Sequence, residues 1–300
     1  MRSIGSVAIA LLSLAACREA VTEPPPLRQF TPPTEVTEFL VKETRLVNGA
    51  VSVHLDIPLS PPGPKPVVIA LIGDRYQLVG AGFVAVTYSI DWSRLKGPPP
   101  TPPPAEQTVG KWVLASPSAG MLGETYLRGI AGTASEYVPT IIDWLATVPE
   151  VDATRIGMAG GSTNGFVTLQ AVAADRRISA AVVISACGDY HRFLRYSSMG
   201  MEGKPLDLDP AYDRWIRSQE IIRHPHRLVH AALLMVNHVA DELIPISCAD
   251  ETARVLADAY ARAGVSDRFR FLRVEQAGHG FRVEENSELI GWFQNWLRPP

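Results

Sequence analysis

The sequence predicts an α/β protein in which helices cover both faces of a mostly parallel β-sheet. Three observations lead to this prediction. An antiparallel hairpin pattern opens the folded part of the chain, short continuous apolar runs then alternate with segments of helical spacing, and 46 % of the 300 residues are hydrophobic, which is ample for a large core. No period of 20–50 residues repeats, so solenoid and propeller folds are excluded.

The first half of the folded region predicts four strands. Runs 36–47 and 51–59 are rich in β-forming residues, and the Asn-Gly pair between them is the preferred sequence for a tight hairpin turn. The continuous apolar runs 67–72 and 83–88 are typical of strands buried on both faces. An antiparallel pair is therefore expected at the start of the sheet, with parallel strands following it.

Strands and helices alternate through the second half. The apolar spacing of residues 134–147 predicts a helix, and a strand starting at Ile156 leads through a serine turn into another helix. Further strands are predicted at 180–184, 233–236 and 269–274, and further helices at 248–263 and 287–297. Ligands in such sheets bind beyond the carboxyl ends of the strands, so functional residues are expected there.

The first 35 residues are predicted to lie outside the fold. Residues 1–16 have a short basic start and an apolar run typical of a secretory signal, and the Leu-Ala-Ala-Cys sequence ending at Cys17 resembles the lipobox of bacterial lipoproteins. The resemblance implies export, removal of residues 1–16 and lipidation of Cys17, which anchors the protein to a bacterial membrane on its periplasmic or outer side. An ordinary secretory signal with a coincidental cysteine is the alternative. Residues 17–35 are proline-rich and predict a semi-rigid tether, which leaves 36–300 as the folded domain.

Charge and cysteine content narrow the possible functions. The net charge of −3 and the pI near 6.2 provide no basic surface for nucleic acid, so a nucleic-acid partner is not expected. Besides Cys17, the chain holds Cys187 and Cys248, which follow two strands that would be neighbours. A disulfide in an oxidising compartment and a pair of buried free thiols are both open.

Two segments interrupt the alternation of strands and helices. Residues 91–115 are proline-rich and follow a strand, which predicts either a surface loop or a wall of the substrate cleft. Residues 189–230 are rich in aromatic side chains, which predicts either a small helical cap over the site or ordinary core packing. The histidines at 224, 226 and 230 lack the cysteine or clustered carboxylates that would complete a metal site, so no metal is expected.

Residues 160–165, Gly-Gly-Ser-Thr-Asn-Gly, place Ser162 between small residues directly after a predicted strand. A serine hydroxyl is a poor nucleophile at neutral pH, and it becomes reactive where a sharp strand-to-helix turn exposes it beside a base and backbone N–H groups. A shifted frame would make Thr163 the nucleophile. A β-branched residue at this strained backbone position would be an outlier, so the sequence favours Ser162.

An acid and a histidine follow the serine in the order that such a site needs. Asp241 and His279 each come just after a predicted strand, so both are expected at the same sheet edge as Ser162. There the histidine can take the serine proton while the carboxylate fixes the imidazole tautomer. Asp189, one strand earlier, competes for the role of the acid, and the strand-end context favours Asp241.

These residues together resemble the α/β-hydrolase superfamily, nearest to its dienelactone-hydrolase and prolyl-oligopeptidase-like branch, from about residue 43 to 297. The resemblance is carried by Arg-Ile-Gly at 155–157 before the serine turn, by Asp241 with a proline four residues later, and by Gly-His-Gly-Phe at 278–281. It implies the α/β-hydrolase fold, with an eight-stranded, mostly parallel sheet, a small cap insertion at 189–230, and a catalytic triad.

The resemblance also implies an oxyanion hole built from backbone N–H groups of Thr163 and of Asp74, in the loop after the third strand. The chain departs from the family pattern in three places. Ile-Gly at 72–73 replaces the usual His-Gly, Asn164 replaces a glycine, and Asn-His at 237–238 stands where His-Gly is usual before the acid. Asn tolerates unusual backbone angles, so the change at Asn164 is expected to be compatible with the turn.

The expected function is an exported, lipid-anchored serine hydrolase that cleaves small-molecule or polymeric carboxylic esters without a metal or organic cofactor. A peptidase is one alternative, because prolyl-oligopeptidase relatives share this catalytic domain. Those enzymes usually carry a large N-terminal propeller, and only the tether is predicted before the hairpin here, which favours the esterase. A non-catalytic binding lipoprotein on the same fold is the second alternative, motivated by the three departures.

Overall fold

The computed structural model describes residues 38–91, 94, 108–109, 112–113, 124–201, 203, 206, 208, 210–275, 278–280 and 285–297. The predicted signal peptide 1–16, Cys17 and the tether 17–35 lie outside the described residues, as does most of the predicted loop 91–115. Within the described ranges, no helix combines the length and the apolar character that crossing a membrane requires.

An eight-stranded sheet forms the centre of the structure. Its strands are β1 (Phe39–Leu46), β2 (Val51–Pro58), β3 (Lys65–Leu71), β4 (Val84–Ile90), β7 (Val151–Gly161), β8 (Ile178–Ile184), β9 (Ala232–His238) and β10 (Phe269–Val274). The order across the sheet is β1-β2-β4-β3-β7-β8-β9-β10. The pairs β1/β2 and β2/β4 are antiparallel and the other neighbours are parallel. The predicted fold class and the eight predicted strands are confirmed.

Two short strands, β5 (Thr108–Val109) and β6 (Trp112–Val113), pair separately. The helices are α1 (Arg75–Gly80), α2 (Glu124–Gly132), α3 (Val138–Leu145), α4 (Thr163–Ala174), α5 (Tyr190–Tyr196), α6 (Pro210–Gln219), α7 (Ile246–Arg262) and α8 (Glu285–Leu297). The predicted helix 134–147 differs in one respect, because a π-helical turn, Thr133–Tyr137, joins α2 to α3. The hydroxyls of Thr133 and Ser135 donate to carbonyls four residues earlier, a contact that often bends helices.

The core lies on both faces of the sheet. Along β3, Val67 and Ile69 join a cluster that includes residues of α3, α4 and α7, while Val68 and Ala70 join a second cluster with residues of α1 and α8. The alternation follows from the two-residue period of a strand. Because both faces are apolar, polar groups that act on a ligand are expected beyond the strand ends.

The predicted cap segment 189–230, after β8, packs most of its aromatic side chains into the core. Tyr190, Phe193 and Tyr212 are buried, whereas 42 % of Tyr196 is exposed, so most of the predicted cap aromatics are core residues. Cys187 and Cys248 form a disulfide with their Cα atoms 5.8 Å apart. The structure therefore contains the bridge rather than two free thiols, and the bridge ties the loop after β8 to the first turn of α7.

His191 fastens α5 to α6 through two carboxylates. Its Nδ1 lies 2.6 Å from Glu220 Oε1 and its Nε2 lies 2.6 Å from Asp213 Oδ1. Burial of the ring acts to lower the pKa of His191, but the hydrogen bonds to Glu220 and Asp213 outweigh it, so the pKa is raised above its ordinary value. The charged imidazolium is thus the form that the fold favours.

We expect His191→Gln to destabilise the protein in a pH-dependent way. Because the folded-state pKa is raised, the stabilisation is complete below the unfolded-state value of about 6.5 and is lost as the pH rises through the folded-state value. The variant should lose roughly 1–3 kcal/mol in free energy of unfolding at about pH 5.5, and clearly less at about pH 9. Urea denaturation at the two pH values measures this. The exposed His226→Gln is the control, and equal losses for His191→Gln at both pH values would contradict the assignment.

Candidate active site

Ser162 occupies a sharp turn between β7 and α4. Its backbone has φ 53° and ψ −124°, a conformation that residues other than glycine rarely adopt. Hydrogen bonds hold the turn: the Ser162 N–H donates to the Ile184 carbonyl at 2.9 Å, and the Ser162 carbonyl accepts the N–H groups of Gly165 and Phe166. The strained backbone is thus fixed by the neighbouring strand and by the helix that follows.

Two glycines allow α4 to pack closely against the sheet at this turn. A Cβ at Gly160 would lie 2.1 Å from the Asn164 carbonyl oxygen, and one at Gly165 would lie 2.8 Å from the Ala186 Cβ. Asn164 itself lies inside α4, and the positive φ belongs to Ser162. Asn164 is therefore compatible with the turn, as predicted, but the reason is its helical backbone rather than a tolerance of unusual angles.

The structure brings Ser162, His279 and Asp241 together at the carboxyl edge of the sheet. His279 Nε2 lies 3.0 Å from Ser162 Oγ, and His279 Nδ1 lies 2.8 Å from Asp241 Oδ2. Ser162 follows β7, Asp241 follows β9 and His279 follows β10. Parallel strands end at the same edge, which is why three residues distant in sequence meet there.

Asp241 is held in place by the backbone that follows it. Its Oδ1 accepts the N–H groups of Leu243 and Ile244, both at 2.9 Å, and only 1 % of its side chain is exposed. Oδ2 is therefore directed at His279. The competing acid, Asp189, instead caps α5, since its carboxylate accepts the Arg192 N–H and pairs with the Arg192 guanidinium. The geometry thus assigns Asp241, not Asp189, to the histidine.

Thr163 does not take the place of Ser162. Its Oγ1 lies 2.8 Å from the Tyr126 hydroxyl. Burial raises the pKa of Tyr126 to about 12, so that this hydroxyl stays neutral. Sequence reasoning missed Tyr126, because no spacing pattern marked the segment that becomes α2. The contact holds the Thr163 side chain on the α2 side, while Ser162 Oγ meets the imidazole.

The two predicted oxyanion donors differ in their surroundings. Thr163 is the first residue of α4, where a backbone N–H has no acceptor within its own helix. The Asp74 N–H donates to Asn286 Oδ1 at 3.1 Å, and the Asp74 carboxylate caps α1 by accepting the Tyr76 N–H. Arg75 pairs with Asp56 rather than with Asp74. Asp74 could serve an oxyanion only after releasing Asn286, and its role stays a prediction.

A cavity of about 360 Å³ adjoins the acid of this cluster. It is lined by Tyr196, Ser198, Gly203, Asp241, Glu242 and Pro245. Two hydrogen bonds fix this wall, from the Ser198 N–H to the Glu242 carbonyl at 2.9 Å and from Ser197 Oγ to the Leu243 carbonyl at 2.7 Å. The segment around α5 is thereby joined directly to the loop that carries Asp241.

No metal centre is found in the described part of the chain. There, no group of three or more histidine, cysteine, aspartate or glutamate side chains is arranged to hold an ion. The rings of His224 and His226 lie edge to face with their centroids 6.3 Å apart. These histidines thus contact one another rather than a shared set of carboxylates.

Comparison with known proteins identifies a family whose model matches this chain. The model of the prolyl oligopeptidase family (Peptidase_S9) matches residues 135–299, which is 165 of the 300 residues and includes Ser162, Asp241 and His279.

Two curated relatives come from Bacillus subtilis (strain 168). YtaP, provisionally named a hydrolase, is 25 % identical over 156 residues, 52 % of this chain and 50 % of that protein. YitV, provisionally named an esterase, is 22 % identical over 153 residues, 49 % of this chain and 59 % of that protein. The chain therefore spans about half the length of the curated relatives it matches.

A solved structure supports the same fold. Acylaminoacyl peptidase of Pyrococcus horikoshii superposes with a TM-score of 0.62 at 15 % identity, covering 88 % of this chain and 42 % of that chain. At this identity the likeness concerns the fold alone. Together with the sheet order, it confirms the α/β-hydrolase fold that the sequence predicts.

We expect Asp241→Asn to abolish most of the reactivity of Ser162 without unfolding the protein. The amide oxygen can still accept the N–H groups of Leu243 and Ile244, which turns the amide N–H toward His279 Nδ1. Nδ1 must then accept, so Nε2 carries the proton and cannot take one from Ser162. The rate of labelling by a fluorophosphonate should fall by about 10⁴-fold. Asp189→Asn is the matched control, and a larger loss there than at Asp241 would overturn the assignment of the acid.

Proposed function

Because the chain belongs to the prolyl oligopeptidase family, we propose that it is a serine hydrolase with Ser162 as nucleophile, His279 as proton shuttle and Asp241 as the group that orients His279. One observation carries this proposal: an unbroken hydrogen-bond path runs from Ser162 Oγ through the imidazole to the Asp241 carboxylate. Such a path supplies a base to a hydroxyl that is otherwise unreactive at neutral pH.

The proposed reaction has two halves. Ser162 Oγ attacks the substrate carbonyl while its proton moves to His279 Nε2, and the Thr163 N–H donates to the resulting oxyanion. As the tetrahedral intermediate collapses, His279 gives the proton to the leaving group and an acyl-enzyme remains. Water then attacks the acyl-enzyme and gives a proton to His279, which passes it to the departing Ser162 Oγ as the free acid leaves.

We propose carboxylic esters as substrates. An alkoxide is a better leaving group than an amide nitrogen, so ester cleavage demands less stabilisation of the oxyanion. The Thr163 N–H has no acceptor within its own helix, while the Asp74 N–H is engaged by Asn286. The relative YitV is also named as an esterase, which supports the same substrate class.

The alternative is a peptidase, and the family match favours it. The family is named for an oligopeptidase, and the fold is similar to that of an acylaminoacyl peptidase. A peptidase would need a second oxyanion donor, which Asp74 could supply if substrate displaced Asn286. The third possibility is a binding protein whose serine does not react.

Labelling and turnover separate these functions. A fluorophosphonate should label the wild type and fail to label Ser162→Ala, because the phosphonate bonds to the activated serine oxygen. Ser185→Ala should still be labelled. Turnover of short p-nitrophenyl esters should exceed that of aminoacyl or prolyl amides. Amide preference would establish the peptidase, equal labelling of wild type and Ser162→Ala would exclude Ser162, and an unlabelled folded wild type would favour the binding protein.

We further propose that the protein is exported and anchored through lipidated Cys17. The support is the lipobox-like sequence before Cys17 and the Cys187–Cys248 disulfide, since structural disulfides persist in oxidising compartments. Several acyl chains on one residue would hold the protein stably at a membrane surface. The proline-rich residues 17–35 would then keep the hydrolase domain away from the lipid.

Expression of the full chain in a bacterium tests the anchor. The wild type should incorporate labelled palmitate and enter the detergent phase on phase separation, while Cys17→Ser should do neither, because the serine oxygen is not a substrate for thioether formation. Ser6→Ala, in the same signal segment, should behave as the wild type. Palmitate on Cys17→Ser, or its absence from the wild type, would refute lipidation at Cys17.

A further inference from the structure

A second serine, histidine and carboxylate lie in line below the candidate active site. Ser185 Oγ lies 3.0 Å from His238 Nδ1, and His238 Nε2 lies 2.5 Å from Glu285 Oε1. The exposed fraction is 2 % for Ser185, 0 % for His238 and 7 % for Glu285. Because no substrate reaches a serine this deeply buried, the trio is not a second catalytic site, and another role must explain it.

The turn at Ser185 repeats the turn at Ser162 one strand further along the sheet. Ser185 has φ 49°, close to the 53° of Ser162. The Ser185 N–H donates to the Val236 carbonyl at 2.9 Å, just as the Ser162 N–H donates to the Ile184 carbonyl. Ser185 is therefore fixed by the end of β9, and it presents its hydroxyl to His238 on that strand.

His238 and its neighbours hold the segment that carries His279 at both ends. The Val239 N–H donates to the carbonyl of Val274, the last residue of β10, where the segment starts. His238 bonds to Glu285, the first residue of α8, where the segment ends. Asp241, three residues after His238, bonds to the His279 ring itself. Three residues close together in sequence, at 238, 239 and 241, thus contact the first residue of α8, the last residue of β10 and the His279 ring.

The first turn of α8 also reaches the predicted oxyanion loop. Asn286, next to Glu285, accepts the Asp74 N–H at 3.1 Å. This turn therefore contacts both the end of β9 and the loop after β3.

His238 joins its two partners through both ring nitrogens. Nδ1 pairs with the Ser185 hydroxyl and Nε2 pairs with the Glu285 carboxyl group. All three groups are buried, and removal of one leaves a partner without its hydrogen bond away from water, which is costly. The chain can avoid that cost by shifting the loop after β9, which carries Asp241 and through it contacts His279.

We propose that His238 and Glu285 are positioning residues that set the distance between His279 and Ser162. This inference rests on the proposed hydrolase function and adds to it the groups that hold the base in line with the nucleophile. It assigns Ser185 the lesser role of orienting the His238 ring.

Kinetics of Glu285→Gln and His238→Gln test the proposal. We expect kcat to fall by about 10- to 100-fold with KM changed less than about twofold, because a displacement of about 1 Å impairs proton transfer more than substrate binding. Glu285→Asp, which keeps the charge, should recover part of the loss. His230→Gln, two residues before the start of β9, is the matched control and should keep the wild-type kcat even if it lowers stability. Should the buried variants fail to fold, Ser185→Ala serves in their place with a smaller fall in kcat.

A measurement that does not depend on enzymatic activity keeps this test separate from the test of the proposed function. Amide hydrogen exchange of the 274–285 peptide should be faster in Glu285→Gln than in the wild type and unchanged in His230→Gln. Unchanged exchange together with wild-type kcat would overturn the positioning role. If fluorophosphonate does not label even the wild type, the hydrolase function fails, whereas the exchange measurement still decides whether Glu285 holds the segment.

Discussion

The close packing of α4 against β7 and β8 is the constraint on which the active-site geometry depends. Gly160 and Gly165 leave no room for a Cβ, and that contact lets the chain reverse within one residue at Ser162. The reversal costs backbone strain, which the hydrogen bond to Ile184 and the first turn of α4 offset. Its result is a hydroxyl held beyond the strand ends, directly before the N-terminus of α4.

The acid and the base are held by hydrogen bonds rather than by the packing of α4. Both are carried by loops rather than by regular elements, and loops hold a distance only when their ends are tied. Here Asp241 is fixed by two N–H groups of its own loop, and His279 is fixed through Asp241 and the strand ends. The sheet brings the three residues to a common edge. The hydrogen bonds of Asp241 then hold His279 Nε2 3.0 Å from Ser162 Oγ.

Two features surround the candidate triad: the predicted oxyanion donors and the cavity beside Asp241. The Thr163 N–H lies at the helix start, whereas the Asp74 N–H has a partner in Asn286, so the two predicted oxyanion donors are not equivalent. The cavity beside Asp241 is bordered by Tyr196 and Glu242, joined to the acid loop by backbone contacts. The packing of the segment after β8 is therefore coupled to the loop that carries the acid.

The sequence by itself predicted the eight strands of the sheet, the helices that became α3, α4, α7 and α8, and the candidate residues Ser162, Asp241 and His279. It could do so because apolar periodicity and strand-end position are local properties of the chain. It left the disulfide open and did not reveal Tyr126, the commitment of Asp74 to Asn286, or the link from His238 to Glu285. Only the tertiary structure decided these, since each contact joins groups from parts of the chain that are distant in sequence. Contacts of this kind depend on how the helices and loops pack onto the sheet, and no local sequence pattern encodes that packing.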